Sequence, residues 1–183
     1  MQANIAIGLL ELSSIAKGIE SADAMCKMAS VKLVKTAVIA RGKFTILVSG
    51  PVGEVESSMR AGREIAGSTL IDEVIIRNVH AQVLEALEKR LPVERLEALG
   101  VIETKEAIAA VRAADAAAKA AQVHVIEVRT SVGGGKGFVT MAGEPGAVRS
   151  AVAAGISALP EGMLVSQVVI PQADPQLLAS VGK

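Results

Sequence analysis

The chain has 183 residues, 51% of them hydrophobic, with 19 basic and 19 acidic side chains, two Phe, no Trp or Tyr, and a single cysteine, Cys26. Zero net charge argues against a general nucleic-acid binder or a polybasic membrane protein, and the missing aromatics leave no surface for stacking bases or sugars. One cysteine excludes an intramolecular disulfide framework and a Cys-rich metal site, and fits a reducing cytoplasm.

The start, Met1-Gln2-Ala3-Asn4, lacks the basic opening of a signal peptide, so a soluble cytoplasmic protein is expected. Residues 4–12 alternate as a strand, with Ile5, Ile7 and Leu9 on one face and Ala6, Gly8 and Leu10 on the other. Ser13 or Ser14 can cap a helix whose apolar positions Ile15, Ile19, Ala22, Cys26 and Ala29 recur at helical spacing. That stripe predicts Cys26 as a small core residue. Val31–Ile39 and Phe44–Val48 read as the second and third strands around a Gly-containing turn. Pro51 opens a second helix at its first position, with Val52, Val55, Met59 and Ala66 as the buried stripe. Leu70–Ile76 is the fourth strand, and His80–Arg90 a short tail helix that Pro92 terminates.

From there the pattern starts again. Ile7-Gly8-Leu9-Leu10-Glu11 matches Leu99-Gly100-Val101-Ile102-Glu103, and Ala22-Asp23-Ala24-Met25-Cys26-Lys27 matches Ala114-Asp115-Ala116-Ala117-Ala118-Lys119 at the same spacing. Gly42-Lys43 matches Gly135-Lys136, Gly62 matches Gly155, and Leu70–Ile76 matches Leu164–Ile170, the spacing growing by one residue at each of two loops. The chain is therefore a tandem duplication, with domains expected at 1–92 and 93–183. Thr104 is expected to cap the first helix of the second copy, Pro145 to open its second, and a shorter tail helix to begin near Pro175. The long apolar stretch Ala107–Val123 carries Arg112, Asp115 and Lys119 and is too charged for a membrane span. The fold class is α+β: two tandem ferredoxin-like βαββαβ units.

No catalytic constellation emerges. Val132-Gly133-Gly134-Gly135-Lys136 suggests a phosphate cradle, but a P-loop needs Ser or Thr after the lysine and a helix next; here Gly137 and a strand follow. Glu11 and Glu103 match as strand ends, yet no His, Ser or Cys recurs beside both, so they read as structural. Asp23/Lys27 and Asp115/Lys119 have the spacing of helix ion pairs. His80 and His124 are not equivalent, and no ligand cluster accompanies either. The chain is expected to be no enzyme and to hold no cofactor or metal.

Gly8-Leu9-Leu10-Glu11, Ala22-Asp23-Ala24-Met25-Cys26-Lys27-Met28-Ala29, Gly42-Lys43-Phe44 and Gly50-Pro51-Val52-Gly53-Glu54-Val55 resemble bacterial microcompartment shell proteins. Two copies in one chain are similar to the tandem, trimer-forming class, and Ser14-Ile15-Ala16-Lys17-Gly18 to its propanediol-utilisation type. The resemblance implies a homotrimer shaped as a pseudohexameric disc that tiles with other shell proteins around encapsulated enzymes. It implies a central pore for small metabolites, lined by Ile39, Ala40, Arg41, Gly42, Val132, Gly133, Gly134 and Gly135. Lys27, Lys119, Asn78 and His80 become tile-edge residues. Three copies of Arg41 on an axis would favour anions. An electron-transferring subunit with an axial iron–sulfur cluster is the alternative; relatives that hold one carry a cysteine where Ala40 stands here. A ferredoxin-like small-molecule binder is the other. Neither nucleic acid nor membrane is an expected partner.

Overall fold

The structure is a computed structural model that describes residues 5–130 and 132–177. The first copy runs β1 (Ile5–Leu12), α1 (Ile15–Met28), β2 (Lys32–Ile39), β3 (Lys43–Pro51), α2 (Val52–Ala66) and β4 (Leu70–Ile76). A helix α3 (Ala81–Glu88) follows. The second copy runs β5 (Ala98–Thr104), α4 (Ala107–Ala120), β6 (His124–Arg129), β7 (Gly137–Gly143), α5 (Pro145–Ser157) and β8 (Leu164–Pro171). Each makes a four-stranded antiparallel sheet, ordered β2-β3-β1-β4 and β6-β7-β5-β8. Irregularities recur with the repeat: the register shifts at Glu11/Leu12 and Glu103/Thr104, and again at Leu33/Lys35 and Val125/Glu127. Bulges re-aim strands, and these are inherited with the unit.

In the first unit Leu10, Leu12, Phe44, Ile46 and Val48 of the sheet pack with Met25 of α1 and Val55 and Met59 of α2. The α2 stripe is the expected one, with Val55, Met59 and Ala66 buried. The α1 stripe is the expected one only at Ala22. Its buried residues are Gly18, Ser21, Ala22 and Met25, while Ile15, Ile19 and Cys26 are exposed. One residue is about 100° of helix turn, and the face that meets the sheet is the one where Gly18 lets α1 settle on Phe44. A Cβ at Gly18 would stand 2.2 Å from that ring. Cys26 is thereby a surface residue, not a core one.

Local chemistry sets the helix starts. Ser14 caps α1, accepting from the Lys17 amide, while Ser13 bonds the Thr69 carbonyl instead. Pro51 occupies the cap position ahead of α2, with extended backbone, rather than its first turn. Thr104 does not cap α4: it ends β5, buried, and its hydroxyl donates to the carbonyls of Glu106 and Gly137. Glu144 caps α5 ahead of Pro145; the amides of Gly146 and Ala147 hold its carboxyl below the usual range.

The chain divides into compact units at Val79/His80. Pro92 follows the end of the α3 pattern, but packing changes earlier: α3 lies against β6 and α4, and the Leu91 amide bonds the Ile126 carbonyl at 2.7 Å. Residues after His80 thus serve the second sheet. The predicted second tail helix reaches only a turn at Pro175–Gln176 and Leu177 before passing outside the described residues. Among the described residues no helix is long and apolar enough to cross a membrane.

Both units bring their two helices together over a glycine. A Cβ at Gly62 would lie 2.6 Å from Met25, and one at Gly155 2.9 Å from the Ala113 carbonyl oxygen. A thioether can move; a helix backbone cannot without moving the helix. Gly155→Val is expected to lower stability by about 1–3 kcal/mol, and more than Gly62→Val; urea unfolding of both variants checks the order.

Candidate functional site

Strands β2 and β3 are joined by a short 3-10 turn, Ala40–Gly42, and β6 and β7 by its equivalent, Gly133–Gly135. The central residue is left-handed in both: Arg41 at φ 65° and Gly134 at φ 82°. Glycine adopts that conformation freely, whereas arginine is strained there by about 1 kcal/mol. Ile39 and Gly135 are buried and anchor the turns, while Arg41, Gly42, Gly133 and Gly134 are exposed. Gly133 needs no left-handed backbone, and a Cβ there would meet nothing within 4 Å. Nothing inside the chain requires a glycine at that position.

A charge pair stands at the foot of each turn. Lys43 Nζ lies 2.7 Å from Glu11, and Lys136 Nζ 2.7 Å from Glu103. Glu11 is 0% exposed; the Glu103 pair is open to solvent. This recurrence was available in the sequence, since Glu11/Glu103 and Lys43/Lys136 repeat together. A search for catalytic partners passes over it, because lysine and glutamate in register neutralise each other and hold a loop. Among residues 39–43 and 132–136 the two lysines are therefore paired, and Arg41 is the remaining charge.

On the helices, Lys27 pairs with Asp23 at 2.6 Å in solvent, and Lys119 with the nearly buried Asp115 at 2.6 Å. Asp115 also accepts the backbone N–H of His80 at 2.9 Å. Asn78 is exposed in a turn at φ 54°, and its equivalent Gln172 has φ 51°. His80 is half-buried ahead of α3, and His124 half-buried at the start of β6. Among the described residues no three metal-binding side chains cluster. An axial iron–sulfur cluster does not fit these residues: the turn offers Ala40, and the chain's one sulfur nucleophile, Cys26, sits on the surface of α1.

Comparison with known proteins fits this duplicated geometry. The model of the BMC domain matches twice, at residues 6–79 and 98–173.

The chain belongs to the BMC-domain family.

The shell protein PduT of Citrobacter freundii is 41% identical over 169 residues, which span 91% of this chain and 92% of that protein. A crystal structure of a microcompartments protein from Desulfitobacterium hafniense superposes with a TM-score of 0.90 at 45% identity, covering 96% of this chain and 98% of that one. The carboxysome shell protein CcmK2 of Synechococcus elongatus is 38% identical over 95 residues, 52% of this chain against 93% of its own. Half of this chain thus equals a whole single-domain shell protein. The chain is a tandem-domain microcompartment shell protein with a structural role.

The two foot pairs of this shell protein differ in burial, and so in what their loss costs. Lys43→Met leaves the Glu11 carboxylate inside the protein without its ammonium, a change worth about 3 kcal/mol. Lys136→Met removes an exposed pair worth under about 1 kcal/mol. Paired urea titrations are expected to show a large loss for the first variant and a small one for the second.

Proposed function

We propose that three chains close into a pseudohexameric disc, a tile of the microcompartment shell, with a metabolite pore on its axis. The observation that carries this reading is reciprocal burial at equivalent positions. Ile19 of α1 is 59% exposed, while its equivalent Val111 of α4 is 0% exposed. In the fourth strands the pattern inverts: Val168 of β8 is 44% exposed and its equivalent Val74 of β4 only 4%. The chain therefore has two unlike bare faces, one on α1 and β2 and the other on β8. Unlike apolar faces associate head to tail, and such contacts close into rings. Three chains supply the sixfold pseudosymmetry that the single-domain relatives suggest.

In such a ring the turns at Ala40–Gly42 and Val132–Gly135 alternate around the axis. The glycine at Gly133 then has a reason outside the chain, which is close approach of neighbouring turns. Arg41 is held at a position where its repeat has glycine, strain that gains nothing for the loop itself. Its return is charge: three guanidinium groups alternating with three bare turns favour anions over cations. Metabolites carrying carboxylate or phosphate are the class admitted. Lys27, Lys119, Asn78 and His80 belong to the rim, where tiles meet other shell proteins; the first three are exposed and His80 is half-buried. The protein catalyses nothing in this reading, and enclosed enzymes are met only across its inner face.

Light scattering on the purified full chain is expected to give a trimer mass, with flat discs or sheets in negative stain. A monomer at every concentration would sink the tile. For the pore, Arg41→Gly is expected to leave the disc intact, to raise stability by about 1 kcal/mol, and to abolish anion preference in planar-bilayer or vesicle-flux measurements. Arg41→Glu is expected to invert it, and unchanged selectivity in both would remove Arg41 from the pore.

A further inference from the structure

Gln82 and Gln176 hold equivalent positions after the fourth strand of each copy. The left-handed residues Asn78 and Gln172 fix that register, after which His80 faces Asp174, Gln82 faces Gln176 and Val83 faces Leu177. Gln82 has a job. Its side-chain Oε1 accepts the Val125 amide at 2.9 Å, and its Nε2 donates to the Val123 carbonyl at 3.4 Å. Two residues earlier, the His80 amide donates to Asp115. These bonds, with α3 above them, close the outer edge of β6, an edge strand of its sheet.

The same docking surface exists on the first copy, where none of the described residues forms a lid over it. Val31 and Leu33 are the equivalents of Val123 and Val125, and Asp23 of Asp115. The backbone there has the same form: the Val31 amide bonds the Ala29 carbonyl at 2.9 Å, as Val123 bonds Ala121 at 2.9 Å. Yet β2 is an edge strand with Leu33 and Val38 exposed, and Asp23 is exposed beside Lys27. The strand also carries the exposed Lys32 and Lys35, yet an edge with apolar residues open on it still offers its unpaired backbone to another chain. The matching key is on the chain as well. Gln176 is exposed, in a turn that Asp174 organises by accepting the Gln176 amide at 2.9 Å.

Resting on the ring proposed above, we infer that residues 174–177 of one protomer clasp the β2 edge of the next. The Gln176 side-chain amide accepts from the Leu33 N–H and donates to the Val31 carbonyl of the neighbouring protomer, and that protomer's Asp23 accepts the Asp174 N–H. The occupant of the bare edge is a second copy of this chain, and the clasp reproduces between chains what Gln82 and Asp115 do within one. It also assigns Asp23 a role at the join between protomers, while Lys27, one turn on, remains available at the rim.

The test is hydrogen exchange read by mass spectrometry on the full chain, with light scattering on the same samples. In the assembled protein the segment 31–34 is expected to be protected, and Gln176→Ala to speed its exchange about tenfold, as the loss of two hydrogen bonds would. Gln82→Ala should do the same to segment 123–126 and leave segment 31–34 alone. If the wild type forms its ring and Gln176→Ala leaves the exchange of segment 31–34 unchanged, the clasp is wrong and the ring stands. If the wild type stays monomeric, the ring reading fails and takes the clasp with it; the scattering mass separates the two failures.

Discussion

A four-stranded antiparallel sheet leaves two edges that its own strands do not pair, and that deficit governs this protein. Each copy has it, because each has the order of strands that puts β2 or β6 at one edge and β4 or β8 at the other. Edges must be paired, covered or blunted if the protein is to avoid uncontrolled association. The second copy solves one edge with the chain that leads into it: α3, Gln82 and Leu91 lie along β6. Among the described residues no segment does the same for β2. Leu33 and Val38 stand exposed on it, beside Lys32 and Lys35.

The duplication also separates what the scaffold needs from what the site needs. Scaffold features recur in both copies: the central glycines Gly8 and Gly100 under α2 and α5, the repeated bulges, and the lysine–glutamate pairs at the foot of each turn. The features that differ sit at the loop tips. The left-handed turn is common to both, but one copy fills it with arginine and the other with glycine. A turn that glycine satisfies without strain carries a strained arginine in the other copy. Two copies in one chain permit that division, because the two loops can diverge while a single-domain subunit carries only one.

Much of the fold was legible in residues 1–177. Alternation marked β1, a match of Leu70–Ile76 to Leu164–Ile170 marked β4 and β8, and the paired Gly-Lys motifs marked the turns. The face of α1 was not legible. The expected stripe Ile15, Ile19, Ala22, Cys26 and Ala29 and the buried one of Gly18, Ala22 and Met25 share Ala22 and differ by less than a quarter-turn of the helix. Hydrophobicity alone prefers the isoleucines. Sheet contact prefers the glycine, because only there can α1 approach Phe44. Thr104 was misplaced for a related reason: a threonine before a helix has a hydroxyl that can cap, but the bulge at Glu103/Thr104 turned it inward to the strands.

The sequence by itself determined the duplication, the order of elements, the family and the composition of the two loops, because these depend on local pattern and on repetition along the chain. It contains the isoleucines of α1 and the glutamines at 82 and 176 but does not rank them. Only the tertiary structure decided which helix faces are buried, that residues after His80 serve the second sheet, and that equivalent positions differ in exposure. Burial is a property of what lies opposite a residue, and that is set by contacts between segments far apart in the chain.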